Sequence, residues 1–134
     1  MKLTITKRFQ FDAAHRLLGY DGLCGSIHGH RYVVETTFSG EQDELGMIAD
    51  FAKLKRVIGE WIKRNWDHAL LLHRDDPTPV MPGQRVAMLD RNPTAENLAR
   101  ELAQAIMGMY LGAGVEWERV RVYETPDAYA EVLR

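Results

Sequence analysis

Two stretches of alternating side chains decide the fold: residues 3–15, LTITKRFQFDAAH, and residues 30–39, HRYVVETTFS. Apolar and polar side chains that alternate over such a length are typical of half-buried β-strands, because successive residues point to opposite faces of a sheet. The loop between the stretches, residues 16–29, is rich in glycine. We therefore predict two antiparallel strands. The apolar face of the first carries Leu3, Ile5, Phe9, Phe11 and Ala13, and His15 shares its parity.

Two amphipathic helices are predicted next along the chain. Asp50 suits the N-cap of a helix that runs to about Asn65, whose apolar residues recur at helical spacing. The second helix starts near the Asn-Pro-Thr of residues 92–94 and carries its own apolar stripe, and Gly112 can end it. Residues 66–92 show no clear period and contain proline and glycine loop signals.

The C-terminal part supplies two closing strands, residues 116–125 and 128–133. The predicted order is β-β-α-α-β-β, in which two helices cover one face of a four-stranded antiparallel sheet, an α+β fold. The 134 residues suit a single domain, residues 1–134, which can bury a core without disulfides. A sheet of this size has open edges, and closing it into a barrel with neighbouring copies would cover them.

Composition excludes several classes of function. The net charge of −2 argues against a large nucleic-acid surface, although a local basic pocket for a phosphorylated ligand stays possible. No run of 18 apolar residues suits a membrane span, and the N-terminus has no signal-peptide core. We expect a cytoplasmic protein. The single cysteine, Cys24, excludes an internal disulfide and is either a reactive thiol or a buried, inert one.

Three histidines fall where a metal site can form. His28 and His30 stand two apart on a predicted strand, so their side chains point to the same side. His15 ends the first strand, and antiparallel pairing brings it to the same end of the hairpin. Three neutral imidazoles suit zinc, and three protein ligands leave a fourth position open, as in catalytic sites. The alternative, two surface histidines and one core histidine, is less favoured because all three can share one face.

Two further groups can carry proton chemistry. Cys24 lies four residues before His28, where it could close the zinc site as a fourth ligand or act beside the metal as a thiolate acid/base. Asp67 precedes His68, and a carboxylate beside an imidazole can orient it and stabilise its protonated form, although surface loops contain many such pairs. Sequence spacing does not decide between the two roles of Cys24.

Glu124 is a carboxylate on the apolar face of a predicted strand. A buried carboxylate needs partners or becomes neutral. It could pair with a basic side chain such as Arg119 or Arg121, or accept two hydrogen bonds from a planar N–H/NH₂ edge like that of a pterin. Both interpretations fit the sequence.

Together these residues resemble the 6-pyruvoyl-tetrahydropterin synthase family and its bacterial branch, 6-carboxy-5,6,7,8-tetrahydropterin synthase. The resemblance covers nearly the whole chain, and its most specific part is Cys24 followed by His28-Gly29-His30, with the AAHR of residues 13–16 upstream. The matching stretches, in family order, are residues 11–17 (FDAAHRL), 24–30 (CGSIHGH), 48–51 (IADF), 54–55 (LK), 67–68 (DH), 92–97 (NPTAEN) and 123–125 (YET).

The resemblance implies the T-fold, in which β-β-α-α-β-β subunits assemble into barrels, commonly as a homo-hexamer of two stacked trimers. It implies a Zn²⁺ ion on the three histidines and 7,8-dihydroneopterin triphosphate as the substrate. Cys24 would be the general base, with Asp67 and His68 as its relay from a neighbouring subunit. Glu124 would anchor the pterin ring, and Lys55 and Arg16 are candidate phosphate contacts.

In the carboxy branch, acetaldehyde and triphosphate leave and the product, 6-carboxytetrahydropterin, enters the 7-deazapurine (queuosine) pathway. Trp66, in place of a common leucine, and the length of residues 70–89 depart from the family pattern and bear on which product forms. The alternatives are the pyruvoyl-forming synthase, a non-catalytic zinc- or pterin-binding module with a closed site, and another zinc hydrolase on the same fold. Cys24 argues against the branch in which a glutamate takes over the acid/base role.

Overall fold

The predicted hairpin is present in the computed structural model, which describes residues 1–134. Strand β1 (Thr4–His15) pairs antiparallel with strand β2 (His28–Ser39) along their whole length, and a short 3₁₀ helix, Leu23–Gly25, lies in the loop between them. The register puts His15 opposite His28 and Ala13 opposite His30. All three histidines therefore lie at one end of the hairpin.

The remaining elements follow the predicted order, with two short strands added between the helices. These elements are α1 (Phe51–Asn65), β3 (Leu70–His73), β4 (Val86–Leu89), α2 (Ala95–Met107), β5 (Glu116–Thr125) and β6 (Ala128–Leu133). The sheet has the strand order β4-β3-β1-β2-β5-β6.

The sheet is larger than predicted and mixed rather than purely antiparallel. The four long strands β1, β2, β5 and β6 are antiparallel as expected, but β3 and β4 run parallel to the end of β1. Strand β3 pairs with only Ala14 and His15 of β1. Residues 70–72 are all leucine and all buried, so this strand has no alternation to reveal it.

Both helices begin where their capping residues predict. The Asp50 carboxylate accepts a hydrogen bond from the Ala52 N–H at 2.8 Å, and the Thr94 hydroxyl accepts one from the Asn97 N–H at 3.2 Å. Helix α2 ends at Met107, with Gly108 as its C-cap, so the prediction that Gly112 ends it is wrong by one turn. Gly112, with φ of +139°, instead forms the turn before β5.

The core lies between the two helices and one face of the sheet. Neither α1 nor α2 has the length and apolar composition that a membrane-spanning helix needs. The opposite face is polar, with ion pairs from Arg8 and Arg121 to Glu35 and from Arg121 to Glu131. The helix face presents the core residues Phe9, Phe11, Tyr32, Val34, Val120 and Val122, against Leu54, Ile58, Ile62, Leu98, Leu102 and Ile106.

Candidate metal centre and active site

Four side chains converge at the end of the hairpin on the helix face of the sheet. His15 comes from the last residue of β1, His28 and His30 from the first residues of β2, and Glu124 from the end of β5. One ligand atom from each lies within 4.8 Å of those of the other three. The histidine convergence predicted from strand parity is confirmed, and Glu124 joins it.

Backbone carbonyls fix the orientation of two of the rings. His15 Nδ1 lies 2.7 Å from the Pro93 carbonyl oxygen, and His28 Nδ1 lies 2.8 Å from that of Ser26. Because a carbonyl can only accept, each Nδ1 carries a proton, and in the neutral ring the Nε2 atom then has a lone pair. The two Nε2 atoms face one another at 3.1 Å. Two lone pairs at this distance repel unless a cation lies between them.

The rest of the cluster also fits a metal ion. His30 Nε2 is buried and makes no hydrogen bond, although Glu124 Oε1 lies 3.2 Å away, and the same oxygen lies 3.2 Å from His15 Nε2. A tetrahedral zinc with ligand bonds near 2.05 Å would separate its ligand atoms by about 3.3 Å. The observed spacings and the set of imidazoles with a carboxylate therefore suit a zinc-type ion.

Burial favours the protonation states that a metal needs. Desolvation lowers the pKa of His15 and of His30, which outweighs the opposing charge of Glu124. Neutral imidazoles are the form that coordinates a metal. Burial, and then the charge of Glu124, raises the pKa of the Tyr32 hydroxyl, 3.1 Å from His15 Nδ1. Tyr32 therefore stays neutral and adds no charge to the cluster.

Cys24 lies near this end of the hairpin but outside the group of four. It is half-buried in the 3₁₀ helix Leu23–Gly25. Its carbonyl oxygen accepts a hydrogen bond from the Leu17 N–H at 3.1 Å, which ties the segment to the chain just beyond β1. A closed site with one cysteine and three histidines requires the sulfur within the cluster, where Glu124 lies instead.

Asp67 and His68 form a pair, but not at this cluster. Asp67 Oδ1 lies 3.0 Å from His68 Nδ1 and accepts a hydrogen bond from the Asp12 N–H at 3.1 Å. The His68 N–H in turn donates to the Asp12 carbonyl at 2.7 Å. His68 has φ of +59°, a conformation that non-glycine residues rarely adopt and that is common at functional sites.

The exposed His68 ring lies in a cleft of about 440 Å³ that Asp12, Arg31 and also His30 of the cluster help to line. Because Asp67 and His68 bond to the backbone N–H and carbonyl of Asp12, the pair lies along the edge of β1. Within one chain, the pair and Asp12 form a second group, separate from the histidine cluster.

The two candidate phosphate contacts have different surroundings. Lys55 is exposed on α1 and lines a groove of about 420 Å³ with Lys7, Lys63 and other residues. Arg16 makes contacts within the protein: Nη1 donates to Asp76 at 2.6 Å and Nε donates to the Gly25 carbonyl at 2.9 Å.

Comparison with known proteins identifies the family. A model of the 6-pyruvoyl tetrahydropterin synthase family matches residues 4–134. The chain belongs to this family. A 6-carboxy-5,6,7,8-tetrahydropterin synthase from Rickettsia felis is 39% identical over 134 residues, which cover 95% of this chain and 97% of that relative. The resemblance inferred from the motifs is confirmed.

Solved structures of tetrahydropterin synthases share the fold. The 6-pyruvoyl tetrahydropterin synthase of Caenorhabditis elegans superposes with a TM-score of 0.75 at 25% identity, over 100% of this chain and 96% of that one. An uncharacterized protein from Wolinella succinogenes superposes with a TM-score of 0.85 at 21% identity, over 99% and 98% of the two chains, which shows the fold alone. The predicted T-fold is confirmed.

Sequence reasoning missed several residues that shape this tetrahydropterin synthase site. The Pro93 carbonyl orients His15, and the backbone of Asp12 holds both Asp67 and His68. Asp76 holds Arg16, but in the sequence it is part of an Asp-Asp-Pro run that indicates only a loop. Of these residues only Pro93 could have been found from the sequence, because it lies within the NPTAEN motif.

Proposed function

We propose that this protein is a zinc-dependent 6-carboxy-5,6,7,8-tetrahydropterin synthase. It would convert 7,8-dihydroneopterin triphosphate to 6-carboxytetrahydropterin, acetaldehyde and triphosphate, in 7-deazapurine (queuosine) biosynthesis. The observation that carries the proposal is the pair of Nε2 lone pairs 3.1 Å apart beside the unpartnered Nε2 of His30. The name of the Rickettsia felis relative, matched over nearly its whole length, supports the choice of reaction.

The proposed metal ligands are His15, His28 and His30. A zinc ion held there would supply Lewis-acid chemistry, which makes the side-chain hydroxyls of a bound pterin and the adjacent C–H bonds more acidic. The Pro93 and Ser26 carbonyls, by fixing the two Nδ1–H tautomers, keep the Nε2 atoms directed at the metal position.

Cys24 is the proposed general base. Its Sγ atom takes a proton from the substrate side chain. His68 is the proposed partner that receives or returns this proton, and Asp67 holds its Nδ1–H, so Nε2 is the atom that exchanges the proton. Because the pair lies at the edge of β1, outside the metal cluster of its own chain, we propose that it serves the metal centre of a neighbouring copy.

The proposed assembly is a homo-oligomeric barrel, with a homo-hexamer of two trimers as the expected size. Two observations support it. Strand β6 has a free edge, and β3 covers only the last two residues of β1, so most of the β1 edge is also free. A free edge carries unpaired backbone groups that a second copy can pair with.

Two contacts with the substrate are proposed. Glu124 would accept hydrogen bonds from the N–H/NH₂ edge of the pterin ring, and since Oε1 faces the imidazoles, Oε2 is the oxygen available to the ring. Lys55 would contact the triphosphate, and the neighbouring Lys7 and Lys63 make that groove cationic.

The test is to incubate zinc-loaded protein with 7,8-dihydroneopterin triphosphate and to identify the products by mass spectrometry. 6-Carboxytetrahydropterin together with acetaldehyde is the expected result. 6-Pyruvoyltetrahydropterin would assign the chain to the other branch, the second candidate function, which the family model and the Caenorhabditis elegans neighbour favour by name.

No turnover by protein that holds zinc would favour the non-catalytic module. Alkylation of Cys24 by iodoacetamide tests that outcome separately. In a closed site the sulfur is a metal ligand, and bound zinc protects it from alkylation. A catalytic thiolate instead reacts readily, and its alkylation leaves zinc bound.

A further inference from the structure

A buried ion pair lies directly beside the segment that carries Cys24. The Asp76 side chain is completely buried, and its Oδ1 accepts three hydrogen bonds: from Arg16 Nη1 at 2.6 Å, from the Thr78 N–H at 2.9 Å and from the Thr78 hydroxyl at 2.6 Å. Burial alone would raise the pKa of Asp76, but these hydrogen bonds outweigh it and hold that pKa below its usual value. The carboxylate is therefore charged and fixed.

Arg16 connects this carboxylate to the Cys24 segment. While Nη1 contacts Asp76, Nε donates to the Gly25 carbonyl at 2.9 Å. The next residue, Leu17, donates its N–H to the Cys24 carbonyl at 3.1 Å. Two consecutive carbonyls of the 3₁₀ helix are thus held by two consecutive residues that follow His15.

The segment has little freedom to adjust around these contacts. A Cβ atom added to Gly25 would lie 2.3 Å from the Tyr20 carbonyl oxygen, so the loop backbone packs against itself at this point. The chain beyond β1 is fixed from its other side as well, because Asn92 accepts from the Leu18 N–H at 2.8 Å and donates to the Leu18 carbonyl at 2.9 Å. The Arg16 side chain therefore joins the Cys24 segment to a stretch of chain that is itself fixed.

We infer that Arg16 and Asp76 are positioning residues that hold Cys24 at the reacting atoms of the substrate, an inference that rests on the base role proposed for Cys24. They act through the Gly25 carbonyl and do not touch substrate. This gives a function to the chain between β3 and β4, which brings Asp76 to the Cys24 segment. Two Arg16 nitrogens, Nε and Nη1, already have protein acceptors, which leaves Nη2 as the nitrogen that could contact a phosphate.

The test uses Arg16→Lys in the zinc-loaded full-length protein. Lysine keeps a positive charge for Asp76 but has no N–H at the position of Nε, so it loses the Gly25 contact. We expect kcat to fall by about tenfold or more, with KM and zinc content within about twofold of wild type, because a small misplacement of a catalytic group is costly. Hydrogen exchange of residues 17–27 should become faster.

Asp76→Asn is the second variant, and it should change kcat and exchange in the same direction. Arg74→Lys is the matched control, because Arg74 pairs with Asp90 on the surface, two residues from Asp76. It should leave kcat and the exchange of residues 17–27 unchanged.

A double-mutant cycle separates the possible mechanisms. If Arg16 acts through Cys24, then Arg16→Lys should cost less than about twofold in a Cys24→Ala background. An equal loss in both backgrounds, with a raised KM, would make Arg16 a substrate contact and overturn the inference. Full activity of Cys24→Ala would instead remove the proposed role of Cys24. Unchanged exchange of residues 17–27 in Arg16→Lys overturns the inference whatever the turnover shows.

Discussion

The chemistry of the metal centre depends on which nitrogen of each imidazole carries a proton. The backbone decides this for His15 and His28, through the carbonyls of Pro93 and Ser26. Glu124 is the only charged side chain of the cluster, and one of its oxygens lies 3.2 Å from two ring nitrogens. A carboxylate at this place can serve the substrate ring or the metal, and substitution separates the two roles.

Glu124→Gln should keep zinc and lose most activity. Three imidazoles are sufficient ligands for a catalytic zinc, whereas the amide cannot accept two charge-assisted hydrogen bonds from a pterin edge. We expect kcat/KM to fall by roughly a hundredfold, and zinc by metal analysis to stay near the wild-type content. Loss of zinc from this variant would show that the carboxylate acts on the metal rather than on the ring.

Asp76→Asn should lower stability in a manner that depends on pH. The folded protein lowers the pKa of Asp76, so its charged form contributes stability above the unfolded value of about 3.9, and that contribution is lost as the pH falls through the folded value. The difference in Tm between wild type and variant should be largest near neutral pH and shrink below about pH 4.

The control for this pH dependence is Asp75→Asn, since the Asp75 side chain is 76% exposed. Thermal unfolding from pH 3 to pH 8 measures both variants, and acid loss of the metal affects them equally. A Tm difference for Asp76→Asn that is the same at every pH would contradict the charged state of this carboxylate.

Among the strands and helices, predictability followed the length of the pattern. The alternation in β1 and β2 is long enough to predict that both are strands and that His15, His28 and His30 share one face. The convergence of the three histidines could therefore be predicted. Strand β3 has four residues and its leucines are buried without alternation, so its pattern also fits other buried segments. The contact between Arg16 and Asp76 joins residues 60 apart, and no local pattern encodes such a contact.

Strand β3 should matter more to stability than its length suggests. Leu71 is fully buried and pairs with both His15 of β1 and Ala87 of β4. Leu71→Ala should lower the free energy of unfolding by about 2–5 kcal/mol, through lost burial and the cavity left behind. Met88→Ala in β4, where the side chain is 57% exposed, is the control and should cost far less. Equal shifts in the urea midpoints, at one protein concentration, would mean that β3 adds little to the core.

The whole molecule has surfaces that one chain leaves uncovered. Tyr20, Leu23 and Ile27 flank Cys24 and are 56%, 91% and 50% exposed, an apolar surface around a residue proposed to be catalytic. The Asp67–His68 pair lies at the edge of β1, outside the metal cluster, and most of the β1 edge and the β6 edge are free. A second copy that covers the Cys24 segment and brings its own His68 would account for the apolar surface, the separate Asp67–His68 pair and the free strand edges.

Mixed oligomers should reveal whether a site is shared between copies. Cys24→Ala and His68→Ala proteins should each be nearly inactive alone. If Cys24 and His68 of one site come from different chains, unfolding and refolding the two variants together creates sites with both residues intact. With equal amounts and random assembly, roughly a quarter of the sites should be complete, and turnover should recover to about that fraction of wild type.

The control is to mix the two variants without unfolding them, which should give no recovery unless subunits exchange. A second control refolds Cys24→Ala with a Cys24→Ala/His68→Ala double variant, a mixture that has no intact cysteine. If the two single variants refold together into zinc-loaded oligomers and stay inactive, Cys24 and His68 must act from the same chain. That result would require His68 to serve the metal centre of its own chain, and the assembly would then not be needed to bring these two residues together.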